Sequence, residues 1–262
     1  MEAETKPRRK GVFLLPNLMT TGALFAGFFS IISGIGGEYT QAAIAVVIAG
    51  ILDGLDGRLA RLTNTQSDFG IQYDSLSDLV SFGLAPALLM YNWSLIHLKT
   101  VSPMAAKLGW LAAFIYAACA ALRLARFNTQ AGSSDKQYFQ GLASPAAAGT
   151  MVATIWFCND RAIAGDSVSW LMLLLTVGLG LLMFSRVRYF SFKGGPAGDR
   201  VPIMWLFFLV LVFVLLSIDT PLVLFLIGYV YVASGLLHTA LGLRQRRQER
   251  KIQQSTRTSP DE

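Results

Sequence analysis

Charge is what this sequence has least of. Asp, Glu, Lys and Arg make up 15% of its 262 residues, against 53% for the hydrophobic set. A soluble domain carries about a quarter of its residues charged, so one is excluded. Cysteine is nearly absent: Cys119 and Cys158 both lie inside apolar segments. That excludes a disulfide framework and leaves two buried thiols. The two histidines, His97 and His238, stand singly near segment ends, which gives neither an imidazole metal centre nor a histidine-activated nucleophile its partners. The chain also lacks an internal repeat of fixed period.

What is present is a series of long apolar segments, with a mean hydropathy of +0.50. The expected fold is an all-α integral membrane protein, a polytopic bundle of about eight transmembrane helices. The predicted spans are Leu14–Ile35, Thr40–Leu62, Phe69–Trp93, Leu108–Phe127, Ala143–Cys158, Val168–Phe184, Pro202–Ser217 and Pro221–Leu241. Residues 94–107 read as a loop, and Asn128 to Gln140 as a polar stretch with a short interfacial helix. SRVRYFSFKGGPAGDR reads as a further loop. A basic tail, 1–11, precedes a transmembrane domain over 12–243, and a second basic tail fills 244–262. The first apolar segment is too long for the core of a signal peptide and is expected to remain as a span.

The basic residues are sorted by side. With eight spans, 19 of the 22 Lys and Arg fall on the side of the termini, and only Lys99, Lys107 and Arg161 on the other. The bias places both termini in the cytoplasm, across the inner membrane of a cell. The net charge of +6 therefore reflects topology and anionic-lipid contact, and no nucleic-acid partner is expected.

One stretch breaks the apolar pattern. LDGLDGRLARLTNTQSDFGIQYDSLSDL holds five Asp and two Arg between two apolar segments. On a helix, Asp53, Asp56, Gly57, Ala60 and Arg61 fall at i, i+3, i+4, i+7 and i+8, which is one stripe. Asp74 and Asp78 form an i, i+4 pair on the next helix. Two helices joined by a short loop run antiparallel, so the acidic stripes can face each other. Asp68 lies in the turn, as a cap for a helix starting at Phe69. A helix entering near Tyr39 carries Asp53 ~21 Å along, at 1.5 Å per residue. In a hydrocarbon core of ~30 Å, all four carboxylates then share a shallow layer near one face. Each intramembrane Asp costs ~2.5–3.5 kcal/mol even on the lenient insertion scale. Two arginines cannot compensate four carboxylates; hard divalent cations such as Mg²⁺ or Mn²⁺ can, often with substrate phosphate as a further ligand.

A metal-binding carboxylate cluster facing the cytosol from within a membrane points to phosphoryl-type transfer on a lipid. Gly54 and Gly57 leave the stripe without bulk. Arg61 is placed to meet phosphate at the interface. A carboxylate not saturated by metal can take a proton from an attacking hydroxyl.

Asp53-x2-Asp56-Gly57-x2-Ala60-Arg61-x8-Gly70-x3-Asp74-x3-Asp78 resembles in full the signature of the CDP-alcohol phosphatidyltransferases. LPNLMT, LRLARFN, GLASPAAA and SRVRYFSFK resemble the phosphatidylserine synthase branch, with Ala143 and Phe190 standing where Pro is frequent. The resemblance implies two divalent ions held by Asp53, Asp56 and Asp74, with Asp78 a shared ligand and also the catalytic general base. It implies nucleotide contacts from Gly57, Arg61 and Ser67, with Ala60 giving room, and from Pro16, Asn17 and Thr20. The implied reaction joins CDP-diacylglycerol and L-serine to give phosphatidylserine and CMP, in a homodimer embedded in membrane lipid. Arg123, Arg126, Asn128 and Lys193 lie on the correct side to meet serine, and Arg126 and Asn128 are the candidates because they follow the fourth span directly. Glycerol 3-phosphate or inositol is the alternative acceptor, the former needing a more basic pocket. An ion-coupled transporter is the alternative class; it calls for repeats or acids at mid-bilayer, and this chain has neither.

Overall fold

A computed structural model of the chain describes residues 14–63, 67–130, 138–185, 187–190, 203–237 and 239. The expected tails, 1–11 and 244–262, and the expected end of the last span lie outside the described residues. What is described is helical almost throughout: α1 (Leu14–Ile35), α2 (Tyr39–Leu62), α3 (Asp68–Asp78), α4 (Ala85–Trp93), α5 (Pro103–Gln130), α6 (Ser144–Asp160), α7 (Ser169–Phe184) and α8 (Ile203–Ile218). A further helix, α9, covers Thr220–Leu237. Among the described residues, three helices are long and apolar enough to cross a membrane: Pro16–Ile35, Pro103–Thr129 and Thr220–Leu237. Phe25, Phe28, Phe207, Phe213 and Leu237 are all more than half exposed, an apolar exterior that suits lipid and not water. The chain is an all-helical membrane protein carrying one small two-stranded ladder.

α1 and α2 form an antiparallel hairpin. Gly37 makes its turn at φ +84°, and the Glu38 N–H donates back to Ser33 O at 2.9 Å, closing the end of α1. The buried face of α2 is built from Ala42, Ala43, Ala45, Val46 and Ala49. Small residues let backbones approach where lipid supplies no hydrophobic drive. The same device joins α1 to the third helical run: a Cβ on Gly27 would lie 2.7 Å from the Cα of Ser81. Ser77 and Ser81 donate to the Thr20 and Ala23 carbonyls at 3.1 and 3.0 Å and fix that crossing.

α3 and α4 are one continuous run interrupted by a π-helical turn, Leu79–Leu84. The Ala85 N–H donates to Val80 O, five residues back. Pro86 accounts for the widening. It has no N–H for the carbonyl four residues earlier, and its ring crowds that carbonyl. The freed carbonyl, Phe82 O, accepts instead from the buried Tyr116 hydroxyl of α5 at 3.2 Å.

The structure corrects several expectations. The cap of α3 is Ser67, not Asp68: the Gly70 N–H donates to Ser67 Oγ at 3.0 Å, and Asp68 is the first helical residue. The two side chains compete for one role, and the hydroxyl takes it. Residues 94–107 are not a loop. Leu95–Thr100 is a 3-10 turn, and α5 starts at Pro103, where Ser102 Oγ accepts from the Ala105 N–H at 3.0 Å. Proline at the first helical position is favourable because its missing N–H has no partner there anyway. The stretch expected as an interfacial helix carries instead the end of α5 and β1 (Tyr138–Gln140); residues 131–137 lie outside the described residues. β1 pairs antiparallel with β2 (Arg188–Phe190), Phe139 opposite Tyr189, inside the segment expected to be a loop. Both segments are rich in aromatic residue types, whose intrinsic preference is for strand.

Candidate metal and substrate site

The acidic stripe of α2 faces the start of the third helical run. One carboxylate oxygen each from Asp53, Asp56 and Asp74 lies within 4.8 Å of the others. Asp56 is buried, and Asp53 and Asp74 are half-buried. Asp78 joins them through a hydrogen bond between its carboxyl and that of Asp53. Two carboxyl groups in such contact need a proton or a cation between them. Neither Asp56 nor Asp74 pairs with an arginine among the described residues, where the ion pairs belong to Arg161. Asp74 Oδ1 is buried with no hydrogen-bond partner. A Cβ built on Gly54 or Gly57 meets nothing within 4 Å. An all-oxygen donor set, one buried oxygen without a partner and open space beside the glycines fit a hard divalent cation.

The start of α1 lies against this cluster. Thr20 Oγ1 donates to Asp56 Oδ2 at 2.7 Å, and Thr20 is itself buried. Pro16 is buried and Asn17 half-buried beside it. Asn17 Oδ1 lies within 3.5 Å of where a Gly70 side chain would begin, and Thr21 shares a 2.9 Å hydrogen bond with the Tyr73 hydroxyl. Thr20 therefore joins the Asp cluster and holds one carboxylate in orientation, while the Pro16 carbonyl accepts from Thr20 and Asn17 lies by Gly70 of α3. Outer partners of this kind change metal affinity ~10- to 100-fold. Thr20→Val, which keeps shape and loses the donor, is expected to lower Mn²⁺ affinity within that range while the protein stays folded, as read by metal titration in detergent.

Gly57 and Arg61 are exposed on α2, with Ala60 half-buried between them. Ser67, expected at the nucleotide, has its Oγ committed to the α3 cap. Asn128 is turned toward α3: its Nδ2 donates to Ser75 Oγ at 3.0 Å. Arg126 is half-buried near the end of α5.

Arg123, a further basic residue on the same side as Arg126 and Asn128, is also engaged. It lies one turn before Arg126 on α5, and its charge is felt at Asp78. Its Nη1 donates to the buried Ser144 Oγ at 2.8 Å, at the first residue of α6. The available signal was position: in LRLARFN, Arg123 is the deeper of two arginines in an apolar helix, where an ionisable group needs a purpose.

The family model described as CDP-alcohol phosphatidyltransferase matches residues 13–182. Three similar proteins bear the name CDP-diacylglycerol--serine O-phosphatidyltransferase. The Helicobacter pylori protein is 39% identical over 203 residues, covering 78% of this chain and 83% of that protein. The Methanocaldococcus jannaschii protein is 36% identical over 165 residues, 63% of this chain and 71% of its own. The Bacillus subtilis protein is 31% identical over 191 residues, 73% of this chain and 98% of its own. With its four aspartates gathered from two adjoining helices and the matched region enclosing them all, the chain belongs to the CDP-alcohol phosphatidyltransferase family.

Proposed function

We propose that this chain transfers the phosphatidyl group of CDP-diacylglycerol to the hydroxyl of L-serine, giving phosphatidylserine and CMP. The observation that carries the reading is the gathering of Asp53, Asp56 and Asp74 within 4.8 Å, with Asp78 bonded to Asp53. The names of the three relatives supply the acceptor. Asp53, Asp56, Asp74 and Asp78 would hold two Mg²⁺ or Mn²⁺ ions, which would supply charge neutralisation for the diphosphate and for the departing nucleotide.

The chain's own residues do the rest. Arg61 meets the nucleotide phosphate, Gly57 and Ala60 leave room for it, and Pro16, Asn17 and Thr20 close the other side. Ser67 orders the turn beneath the nucleotide. Asp78 takes the proton of the serine hydroxyl as its oxygen attacks the phosphorus attached to diacylglycerol. A new phosphorus–oxygen bond forms to serine and the anhydride bond to CMP breaks. The site opens to the cytoplasm from a bundle of eight spans in the inner membrane, and the enzyme works as a homodimer. The charge sorting in the sequence supports that orientation.

The test is CMP release by the purified protein in detergent micelles with CDP-diacylglycerol, comparing L-serine, glycerol 3-phosphate and inositol, with Mg²⁺, Mn²⁺ or chelator. Serine-dependent, metal-dependent release supports the reading. Release with another alcohol and none with serine overturns the acceptor. Arg61→Lys is expected to weaken CDP-lipid binding about 3- to 30-fold, because a point charge cannot reproduce the bidentate fork. The Kd for a CDP-lipid measures it, and an unchanged Kd removes Arg61 from the nucleotide site.

A further inference from the structure

α1 carries none of the four aspartates, yet one of its residues is bonded to both helices that do. On the α2 side, Thr20 Oγ1 donates to Asp56 Oδ2 at 2.7 Å. On the α3 side, Ser77 Oγ donates to Thr20 O at 3.1 Å. Thr20 is thus held by its side chain to one acidic helix and by its backbone to the other. Ser77, Thr20 and Asp56 are 2%, 4% and 4% exposed, so little water competes for either bond. The Thr20 hydroxyl also reaches Pro16 O, at 3.1 Å; the bond to the carboxylate is the shorter and, being charge-assisted, the stronger.

Ser77 stands between the two aspartates of α3, one turn after Asp74 and directly before Asp78. A helix is stiff over one turn, so α3 cannot rotate or slide at Ser77 without moving both carboxylates. The bond from Ser77 to α1 therefore fixes the direction in which α3 presents them. The next bond along the run differs. Ser81 donates to Ala23 O at 3.0 Å, but Ser81 lies beyond Asp78 inside the widened turn, and Ala23 has no polar side chain to pass the constraint to α2.

We propose that Ser77 is a positioning residue of the metal site: through Thr20 it ties α3 to Asp56 of α2, and so sets the spacing at which the carboxylates of the two helices meet a divalent cation. This rests on the reading above that the cluster takes such ions. It adds that α1, without a ligand of its own, is the tie between the two acidic helices.

The experiment compares S77A with S81A. Both lose a buried serine bond to an α1 carbonyl, at 3.1 and 3.0 Å. Each full-length variant is titrated with Mn²⁺ in detergent. Removing the direct partner of a metal ligand costs ~10- to 100-fold in affinity, and Ser77 acts one link further out, so S77A is expected to weaken Mn²⁺ binding about 3- to 10-fold. S81A should stay within about twofold of the wild type. S77A is then placed in the T20V background. With the tie already cut at Asp56, it should weaken Mn²⁺ binding less than about twofold further. S77C, close to serine in size and a weak donor, carries the comparison if S77A is not recovered folded. Wild-type Mn²⁺ affinity in these Ser77 variants, or an equal loss in S81A, makes Ser77 an ordinary packing contact and overturns the proposal. Losses in S77A and T20V that multiply overturn the route through Thr20. A wild type that binds no Mn²⁺ is a separate failure: it removes the metal site itself, and this inference with it.

Discussion

Asp78→Asn abolishes CMP release while CDP-lipid binding stays measurable. Asparagine keeps the size of the side chain and can still hydrogen-bond to Asp53, so the packing at the end of α3 survives. What it cannot do is take a proton from an incoming hydroxyl. General-base catalysis contributes ~10²–10⁴-fold, and the whole of that is expected to be lost. Single-turnover CMP release gives the rate, and binding of a CDP-lipid gives the control. If both vanish together, Asp78 serves chiefly to hold cations, and the base must be sought elsewhere. The substitution is informative because Asp78 differs from its neighbours: it is bonded to Asp53 and feels the charge of Arg123, at the edge of the carboxylate cluster.

Removing Asp74 should move activity and stability in opposite directions. Asp74→Ala takes away one of three carboxylates gathered within 4.8 Å, including the buried Oδ1 that no hydrogen bond satisfies. Charge stabilisation by bound ions is worth several kcal/mol, so turnover should fall on the order of 10³-fold and cation binding with it. Without metal, however, a half-buried carboxylate crowded by two others weakens the fold. The metal-free variant should therefore melt at or above the wild-type temperature in detergent, while Mn²⁺ raises the melting point of the wild type alone. Thermal unfolding with chelator and with Mn²⁺, alongside CMP release, reads both. A variant that melts lower without metal would show that Asp74 stabilises the fold by contacts of its own.

The acidic cluster was legible in the sequence because its cost is large and its spacing simple. Asp53 and Asp56 sit one turn apart, Asp74 follows after a short turn, and little but a shared cation could justify them in an apolar setting. Helix existence was legible for the same reason: long apolar runs punctuated by Gly36-Gly37 or Pro103 leave few choices. Local detail was not. Ser67 and Asp68 are both capping residues, and only the backbone decides between them. The β1–β2 ladder joins Tyr138–Gln140 to Arg188–Phe190 across some 50 residues, a pairing that no local period reveals. The surroundings of Arg123 were not legible because they come from other helices: Ser144 opens α6 and Asp78 ends α3, and nothing in LRLARFN announces them. Adjacency in sequence marks Arg126 and Asn128 but not their neighbours: the Asn128 amide hydrogen-bonds to Ser75 of α3.

The widened turn after Asp78 acts as a phase shifter. Upstream of it, the run must aim carboxylates at α2; downstream, Ala85, Ala87, Leu89 and Met90 must aim into the protein interior. An ordinary helix advances ~100° per residue, so a single residue gained or lost rotates everything beyond it by that amount. Pro86 and the hydroxyl of Tyr116 together lock the present phase. Trimming one residue from Leu79–Leu84 would leave the composition and the signature motif intact yet swing the acidic face out of line with its partner helix. The distance from Asp78 to Pro86 is thus as much a fixed dimension of this enzyme as the spacing of the aspartates themselves.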